Sequence, residues 1–184
     1  MNDEKHTMEK MISQLTARVE KLEENAPGNK LALGIMSGNL DNTIAAFIIS
    51  LGAAAYDMEV DLFFTFWGLS ALRDPVKNPK KDFLGKMFGT MLPASSKKLP
   101  LSQMQMLGIG PKMIRSVMKK HNAKSLEELM SDAAEFGVRI HVCTMSMDVM
   151  GIKKEELIDY PYIDFVGVGA FVAMFQEAKQ CWFM

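Results

Sequence analysis

Short apolar runs alternate with longer helix-forming segments along most of this 184-residue chain, beginning at Leu31. Alternation of this kind favours an α/β domain, because each helix carries the chain back so that the next strand can lie parallel to the last. We therefore expect about five mainly parallel strands with helices packed against them. The predicted strands are residues 31–36, 60–66, 138–143, 163–168 and 181–184, and the predicted helices include residues 43–56, 153–158 and 170–179.

Residues 1–27 form a separate segment, and the α/β domain is expected to occupy residues 28–184. The segment is polar and helix-favouring, with apolar residues spaced by three, four and seven positions. This spacing suits a short coiled coil, although barely two heptads are present. An isolated helix of this length is marginal in water, so the apolar stripe is expected to pack on a sister helix or on the main domain. A frayed tail is the alternative.

Residues 67–110 lack clear periodicity and contain several prolines, lysines and methionines. Compact domains rarely carry so long an irregular connection without a use for it. We interpret the segment as an insertion that covers an active site or forms an interaction surface. Its methionines would make a pliant apolar surface for a partner protein, and ordinary core packing by methionine is the alternative.

Charge and hydropathy exclude several classes of function. A net charge of −1 and a pI near 6.3 give no broad attraction toward nucleic acid. The longest apolar run, residues 43–55, is shorter than the roughly 18 residues that span a membrane. Two cysteines and no secretory signal pattern favour a cytoplasmic, reducing setting. We expect a cytoplasmic protein with no nucleic-acid partner and no transmembrane segment.

Cys143 is the best candidate for chemistry. It closes the predicted strand at 138–143, and a helix-like segment follows it directly. A cysteine between a strand and a helix lies where backbone N–H groups favour the thiolate, which is the nucleophilic form. The alternative is a small buried residue at a strand end, because free cysteines are often buried.

Three polar clusters follow the first three predicted strands. In a parallel sheet, ligands collect beyond the carboxyl ends of the strands, so these clusters are expected to share one pocket. The turn after the first strand could also hold an anion on its backbone amides. Each residue has an alternative role as a helix cap or a core side chain. The predicted pocket residues are Ser37, Gly38, Asn39, Asp41, Thr65, Trp67, Thr144 and Ser146.

Three motifs resemble those of the DsrE/DsrF/DsrH-like sulfur-relay proteins, over residues 31–184. They are SGNLD at 37–41, FFTFWGL at 63–69 and CTMSMDVMG at 143–151. The resemblance implies a flavodoxin-like α/β subunit that assembles into homo-oligomers, commonly trimers or hexamers. It also implies that Cys143 carries sulfane sulfur as a persulfide, exchanged with donor and acceptor proteins through their own reactive thiols. Asp148, Met150 and Gly151 would then shape the cysteine pocket.

Two other classes of function compete with sulfur relay. A peroxidase is disfavoured, because nothing around Cys143 resembles the proline- and threonine-containing segment of typical peroxiredoxins. A noncatalytic oligomeric binding or assembly module, with Cys143 as a structural residue, remains open.

The remaining candidate groups are given lesser roles. Cys181 is predicted to be a structural residue of the last strand, although a resolving role stays open if it comes within disulfide reach of Cys143. His141 lies on the same side of its strand as Cys143 and could be its proton partner, but a core or surface histidine is the favoured interpretation. No spacing matches a zinc site and no motif completes a phosphate or dinucleotide loop, so neither metal nor cofactor is expected.

Overall fold

A five-stranded sheet, with every strand parallel to its neighbours, forms the centre of the computed structural model, which describes residues 2–24, 26–77, 79, 81 and 83–184. The order across the sheet is β4-β3-β2-β1-β5. The flavodoxin-like α/β class expected from the sequence is confirmed. The strands are β1 (Gly28–Ile35), β2 (Glu59–Phe64), β3 (Arg139–Cys143), β4 (Ile163–Val166) and β5 (Ala178–Phe183). The helices are α1 (Asn2–Glu24), α2 (Leu40–Ala54), α3 (Phe83–Met91), α4 (Ile109–Lys120), α5 (Leu126–Glu135), α6 (Thr144–Met150) and α7 (Val168–Glu177).

One face of the sheet carries the main core. Alternate residues of the strands point to this face, including Leu33 in β1 and Ile140 in β3, and both are fully buried. Helices α2 and α5 supply the facing side chains, among them Phe47, whose ring lies 6.3 Å from that of Phe64. A capping box opens α5, since the side chains of Ser125 and Glu128 each accept a hydrogen bond from the other residue's backbone N–H.

The opposite face is covered differently, by α7. Phe171 of α7 stacks on Phe63 of β2 with 4.3 Å between ring centroids, and Phe183 of β5 meets Phe171 edge to face. Gly34 leaves room for these rings, because a Cβ there would lie 2.7 Å from the Phe183 ring. No residue within the described range Val168–Glu177 is buried, although the helix is almost entirely apolar. Parallel sheets are normally covered on both faces. Because α7 has no buried residue within its described range, it forms only a thin covering layer on this face.

The N-terminal segment is a single helix, α1, of 23 residues. Its apolar stripe does not pack on the domain: Ile12 is 58% exposed and Leu22 is 71% exposed. The predicted packing on the main domain is therefore not observed, and the sister helix remains a prediction.

The 67–110 insertion contains more regular structure than its sequence suggested. It holds most of the 3₁₀ helix Phe66–Leu72, all of α3 and two short 3₁₀ turns, Ser96–Lys98 and Met106–Gly108. Arg73 secures it from within by donating hydrogen bonds to the carbonyl oxygens of Gly89, Leu92 and Pro93 at the end of α3. Residues 78, 80 and 82 lie outside the described residues.

A buried ion cluster joins this insertion to the chain beyond α6. Glu156 pairs with Arg73 at 3.4 Å and with Lys81 at 2.6 Å, and all three side chains are at least nine-tenths buried. Glu156 therefore turns inward, and its segment is a short 3₁₀ turn, Lys154–Glu156. The helix predicted at 153–158 is wrong for this reason.

None of the helices within the described residues is both long and apolar enough to cross a membrane.

Candidate functional site

Cys143 is the last residue of β3 and the residue that precedes α6. Ile140 and Val142 point into the core, so Cys143 points to the opposite face, on which α7 lies. Its neighbour in the register of β4 is Val166, two residues before α7 begins. Cys143 is only 1% exposed. The thiol is thus at the predicted end of its strand, but it is enclosed.

Polar contacts beside Cys143 hold the strand ends together. Thr65, directly after β2, and Ser146 of α6 share a buried hydrogen bond of 2.7 Å between their hydroxyl oxygens. Thr144 donates a hydrogen bond to the carbonyl oxygen of Val166, 3.3 Å away. Three of the predicted pocket residues, Thr65, Thr144 and Ser146, therefore hold α6, which begins directly after Cys143, against the ends of β2 and β4.

A glycine contact ends α6. Gly151 has a φ of 59°, in the left-handed region that a helix commonly adopts just after its last turn. A Cβ at this position would lie 2.5 Å from the Cα of Gly85 in α3. The segment after Cys143 thus packs directly on the insertion. Position 151 requires glycine for two independent reasons, its positive φ and its close approach to Gly85.

His141 lies two residues before Cys143 on the same face, and both of its ring nitrogens are engaged. Nδ1 lies 2.6 Å from a carboxylate oxygen of Asp164, and Nε2 lies 2.8 Å from one of Asp61. Arg139 also donates to Asp61, at 2.7 Å, and to Glu59, at 2.9 Å. His141 therefore belongs to an ion cluster across β2, β3 and β4, and it is not free to act as a proton partner of the thiol.

These contacts shift the pKa of both partners. Burial alone would lower the pKa of His141, but the hydrogen bond to Asp61 and the charges of Asp164 and Asp61 outweigh it and raise that pKa above 6.5. Burial would raise the pKa of Asp61, but hydrogen bonds from His141 and Arg139 outweigh it and lower that pKa to about 2. The imidazolium and the carboxylate stabilise each other.

Most backbone amides of the turn after β1 are used within the chain. Met36 and Ser37 both donate their N–H groups to the carbonyl oxygen of Met184, and Leu40 donates to that of Pro100. The N–H of Asn39 donates to the hydroxyl oxygen of Ser37. The expected anion-holding role is thus not supported, because the chain itself uses these donors.

Asp41 of α2 also has a structural partner. Its carboxylate accepts hydrogen bonds from the backbone N–H of Ser102, at 2.9 Å, and from the Ser102 hydroxyl. Burial would raise the pKa of Asp41, but these hydrogen bonds outweigh it and lower that pKa. Asp41 therefore ties the insertion to the start of α2.

The other four predicted pocket residues line a cavity of about 510 Å³ at the same edge of the sheet. Those residues are Ser37, Gly38, Asn39 and Trp67. The insertion supplies the facing wall, including Phe88, Met91 and Leu92, which the sequence did not single out for this role. Ser70 also lines the cavity and was missed, because one serine in the apolar run WGLSAL gives no periodic signal. Cys143 does not line this cavity. The residues that were predicted to share one pocket with Cys143 therefore do not all lie at one site.

The two cysteines are far apart. In the strand register, Cys181 of β5 pairs with Ala32 of β1, and Ala32 pairs with Asp61 of β2. Asp61 pairs in turn with Arg139 of β3, which lies four residues before Cys143. Three strand spacings alone separate the two cysteines by about 14 Å across the sheet, well beyond the roughly 7 Å limit for a disulfide. Cys181 is also exposed, so it is not a buried structural residue of the last strand.

Metal ligands are not assembled at this edge: within the described residues, no three histidine, cysteine or acidic side chains come together as a metal site.

Comparison with known proteins gives consistent results. Residues 27–183 match the profile of the DsrE/DsrF/DrsH-like family. The chain is 50% identical over 146 residues to the uncharacterized protein YrkE of Bacillus subtilis (strain 168), which covers 79% of this chain and 90% of that protein. It is 33% identical over 158 residues to the sulfur carrier protein DsrE2 of Allochromatium vinosum, and this alignment covers 83% of this chain and 96% of that protein. The crystal structure of the ychN protein from E. coli aligns with a TM-score of 0.47 and 8% identity, over 84% of this chain and 99% of that chain.

Proposed function

The chain belongs to the DsrE/DsrF/DrsH-like family, and from that premise we propose that it is a sulfur carrier that holds sulfane sulfur as a persulfide on Cys143. The observation that carries this proposal is the position of Cys143 at the carboxyl end of a parallel strand, beside the polar pair Thr65 and Ser146. The 33% identity to a sulfur carrier protein supports the same class of function.

The proposed reaction needs no cofactor. The Cys143 thiolate attacks the outer sulfur of a donor persulfide, so that a new S–S bond forms on Cys143 while the donor's S–S bond breaks and the donor leaves as a thiolate. An acceptor thiolate then attacks the outer sulfur of the Cys143 persulfide, which restores the Cys143 thiolate. The two exchanges are balanced without an external oxidant or reductant, and a reducing cytoplasmic setting keeps the donor and acceptor thiols available.

Burial of Cys143 imposes a condition on this reaction. A thiol that is 1% exposed cannot meet the sulfur atom of another protein in the conformation described here. Part of the surrounding structure must open, and α7 is the thin layer on that face. Enclosure also shelters a persulfide from oxidation to higher sulfur acids.

Assembly through the α7 face is part of the proposal. Val168 and Val172 of α7 are 61% and 50% exposed, and Phe183 of the adjacent β5, on the same face, is 53% exposed. An exposed apolar patch on a parallel sheet layer is typical of a subunit interface. The occupant we propose is a second copy of the chain, in a trimer or hexamer.

Mass spectrometry tests the carrier role. After exposure to glutathione persulfide and digestion with trypsin, Cys143 and Cys181 fall in separate peptides, residues 140–153 and 180–184. We expect the mass of one additional sulfur atom on the first peptide, its loss on addition of an acceptor thiol, and no uptake by a Cys143→Ser variant. The matched control Cys181→Ser should load normally. Uptake on Cys181 alone would assign the role to the other cysteine.

The buried state of Cys143 favours one competing function, a noncatalytic assembly module with a structural cysteine. Reaction with iodoacetamide separates the two in a Cys181→Ser background. Alkylation of Cys143 in the native protein, at a rate well above that of unfolding, supports the carrier, whereas a thiol that reacts only after denaturation supports the module.

A further inference from the structure

The cavity between the β1–α2 turn and the insertion has the features of a small-molecule site. Its volume of about 510 Å³ lies within the range of 300–1,000 Å³ that is usual for such sites. Its walls are mainly apolar, including Met36, Trp67, Phe88 and Met91. None of the side chains that line it, among the described residues, carries a charge. An ionic ligand would find no charged side chain here, so the chemistry of the walls suits an uncharged one.

One polar atom in the cavity lacks a partner. Ser70 is 1% exposed, and its hydroxyl oxygen makes no hydrogen bond to any described residue. Buried hydroxyl groups are almost always hydrogen-bonded, because leaving one unpaired costs stability. By contrast, the Ser37 hydroxyl accepts a hydrogen bond from the side chain of Asn42, and the backbone N–H groups of Met36, Ser37 and Asn39 are used within the chain. Ser70 therefore stands out as a group kept for a partner from outside the chain.

The cavity is preformed by rigid contacts. Gly38 packs so closely on Trp67 that an added Cβ would lie 2.6 Å from the Trp67 carbonyl oxygen. On the opposite side, Arg73 holds the backbone of Leu92 and Pro93 through their carbonyl oxygens, at 3.3 and 3.0 Å. Because the walls are already in place, a ligand need not order them on binding.

We propose that this cavity binds an uncharged, mainly apolar small molecule that carries one hydrogen-bonding group, and that Ser70 makes the polar contact. The site lies at the same edge of the sheet as Cys143, but that thiol does not line it. The proposal is independent of sulfur transfer and stands whether or not Cys143 loads with sulfur.

Binding can be tested with N-phenyl-1-naphthylamine, an uncharged fluorescent aromatic amine with a single N–H group. We expect its fluorescence to rise with saturable binding to the wild-type protein. In Ser70→Ala, the dissociation constant should increase about two- to tenfold, the range expected for one lost hydrogen bond. The same variant should unfold at a higher urea concentration without ligand, because it removes an unpaired buried hydroxyl.

The matched control is Ser50→Ala. Ser50 is also fully buried, but its hydroxyl donates to the Ala46 carbonyl oxygen at 2.7 Å within α2. This variant should bind the amine as the wild type does. If Ser70→Ala binds the amine as tightly as the wild type or more tightly, the polar contact is wrong and the proposal is overturned.

Methionine methyl NMR locates the bound amine without any variant. With ¹³C-methyl methionine, the amine should shift the signals of Met36, Met91 and Met184, which line the cavity. Met8 and Met11 on the exposed stripe of α1 should stay unchanged. Shifts confined to α1, or to Met174 of α7, would show that the amine binds another apolar surface and would refute the site.

Discussion

At the scale of single residues, the structure assigns different roles to two neighbours in β3. Cys143 and His141 share a face of the sheet, as their spacing predicted. The sequence could not show that His141 lies between Asp61 and Asp164, because those carboxylates come from the two flanking strands. Neighbouring strands bring these groups together only after the sheet has formed, and their contacts give His141 a structural role.

The His141 cluster predicts how stability depends on pH. His141 has a raised pKa in the folded protein, so its stabilising contribution is complete below 6.5 and is lost as pH rises through the folded-state pKa. Urea unfolding of the wild type should therefore show lower stability at pH 9 than at pH 6, and His141→Asn should remove most of this difference.

His121→Asn is the control for this experiment, because His121 is exposed and outside the cluster. It should keep the wild-type pH dependence, and a His141→Asn variant that also kept it would contradict the assignment. Asp61 acts in the opposite sense at acidic pH. Its stabilising contribution is present above pH 3.8 and is lost as the pH falls toward its folded-state pKa of about 2.

At the scale of elements, we expect α7 to control access to Cys143. The helix lies on the face to which the thiol points, and none of its described residues is buried. Gly169 lies in its first turn, with no atom within 4 Å of an added Cβ. Alanine at that position would stabilise the helix without a clash.

Gly169→Ala should therefore slow the alkylation of Cys143 roughly twofold in a Cys181→Ser background, as about 0.5 kcal/mol of added helix stability makes opening rarer. Gly52→Ala is the matched control. Gly52 lies in the last turn of α2, also with open space around its Cβ position, but on the core side of the sheet. If both variants slow the reaction equally, α7 is not the element that opens.

Elements with strong local signals could be predicted from the sequence, and elements held by distant partners could not. The strand that ends at Cys143 and the capping box at Ser125 were predictable, because an apolar run and a serine followed by glutamate are local patterns. The turn at Glu156 was mispredicted, since its shape follows from ion pairs with Arg73 and Lys81, far away along the chain. The unpaired hydroxyl of Ser70 was equally invisible, because it depends on what the insertion leaves beside it.

At the scale of the whole molecule, the apolar surfaces of the described residues that lack a covering layer include the stripe of α1 and the outer side of α7 with β5. The proposed homo-oligomer would cover the second directly, and a sister helix would suit the first. The thin α7 layer is then completed by another subunit, which links assembly to access to Cys143.

Val172→Glu tests the α7 interface. Burying a carboxylate in an apolar interface is costly, so this variant should shift the protein toward monomers in sedimentation velocity while its circular dichroism stays unchanged. Val117→Glu in α4 is the control, because Val117 lies outside α7 and is exposed to nearly the same degree, 47% against 50% for Val172. A wild-type protein that sediments as a monomer, or a Val172→Glu variant that assembles normally, would refute this interface.

The pairing of β5 with β1 has a consequence for how the protein is made in the cell. Gly28 pairs with Ala178, so one side of β1 gains its partner only when residues near the end of this sequence have left the ribosome. During synthesis, the free backbone N–H and C=O groups along that side of β1 form an open strand edge that other nascent chains can pair with. The arrival of β5 closes that edge, and β5 then becomes the outer strand, so the exposed edge passes from the apolar strand β1 to β5.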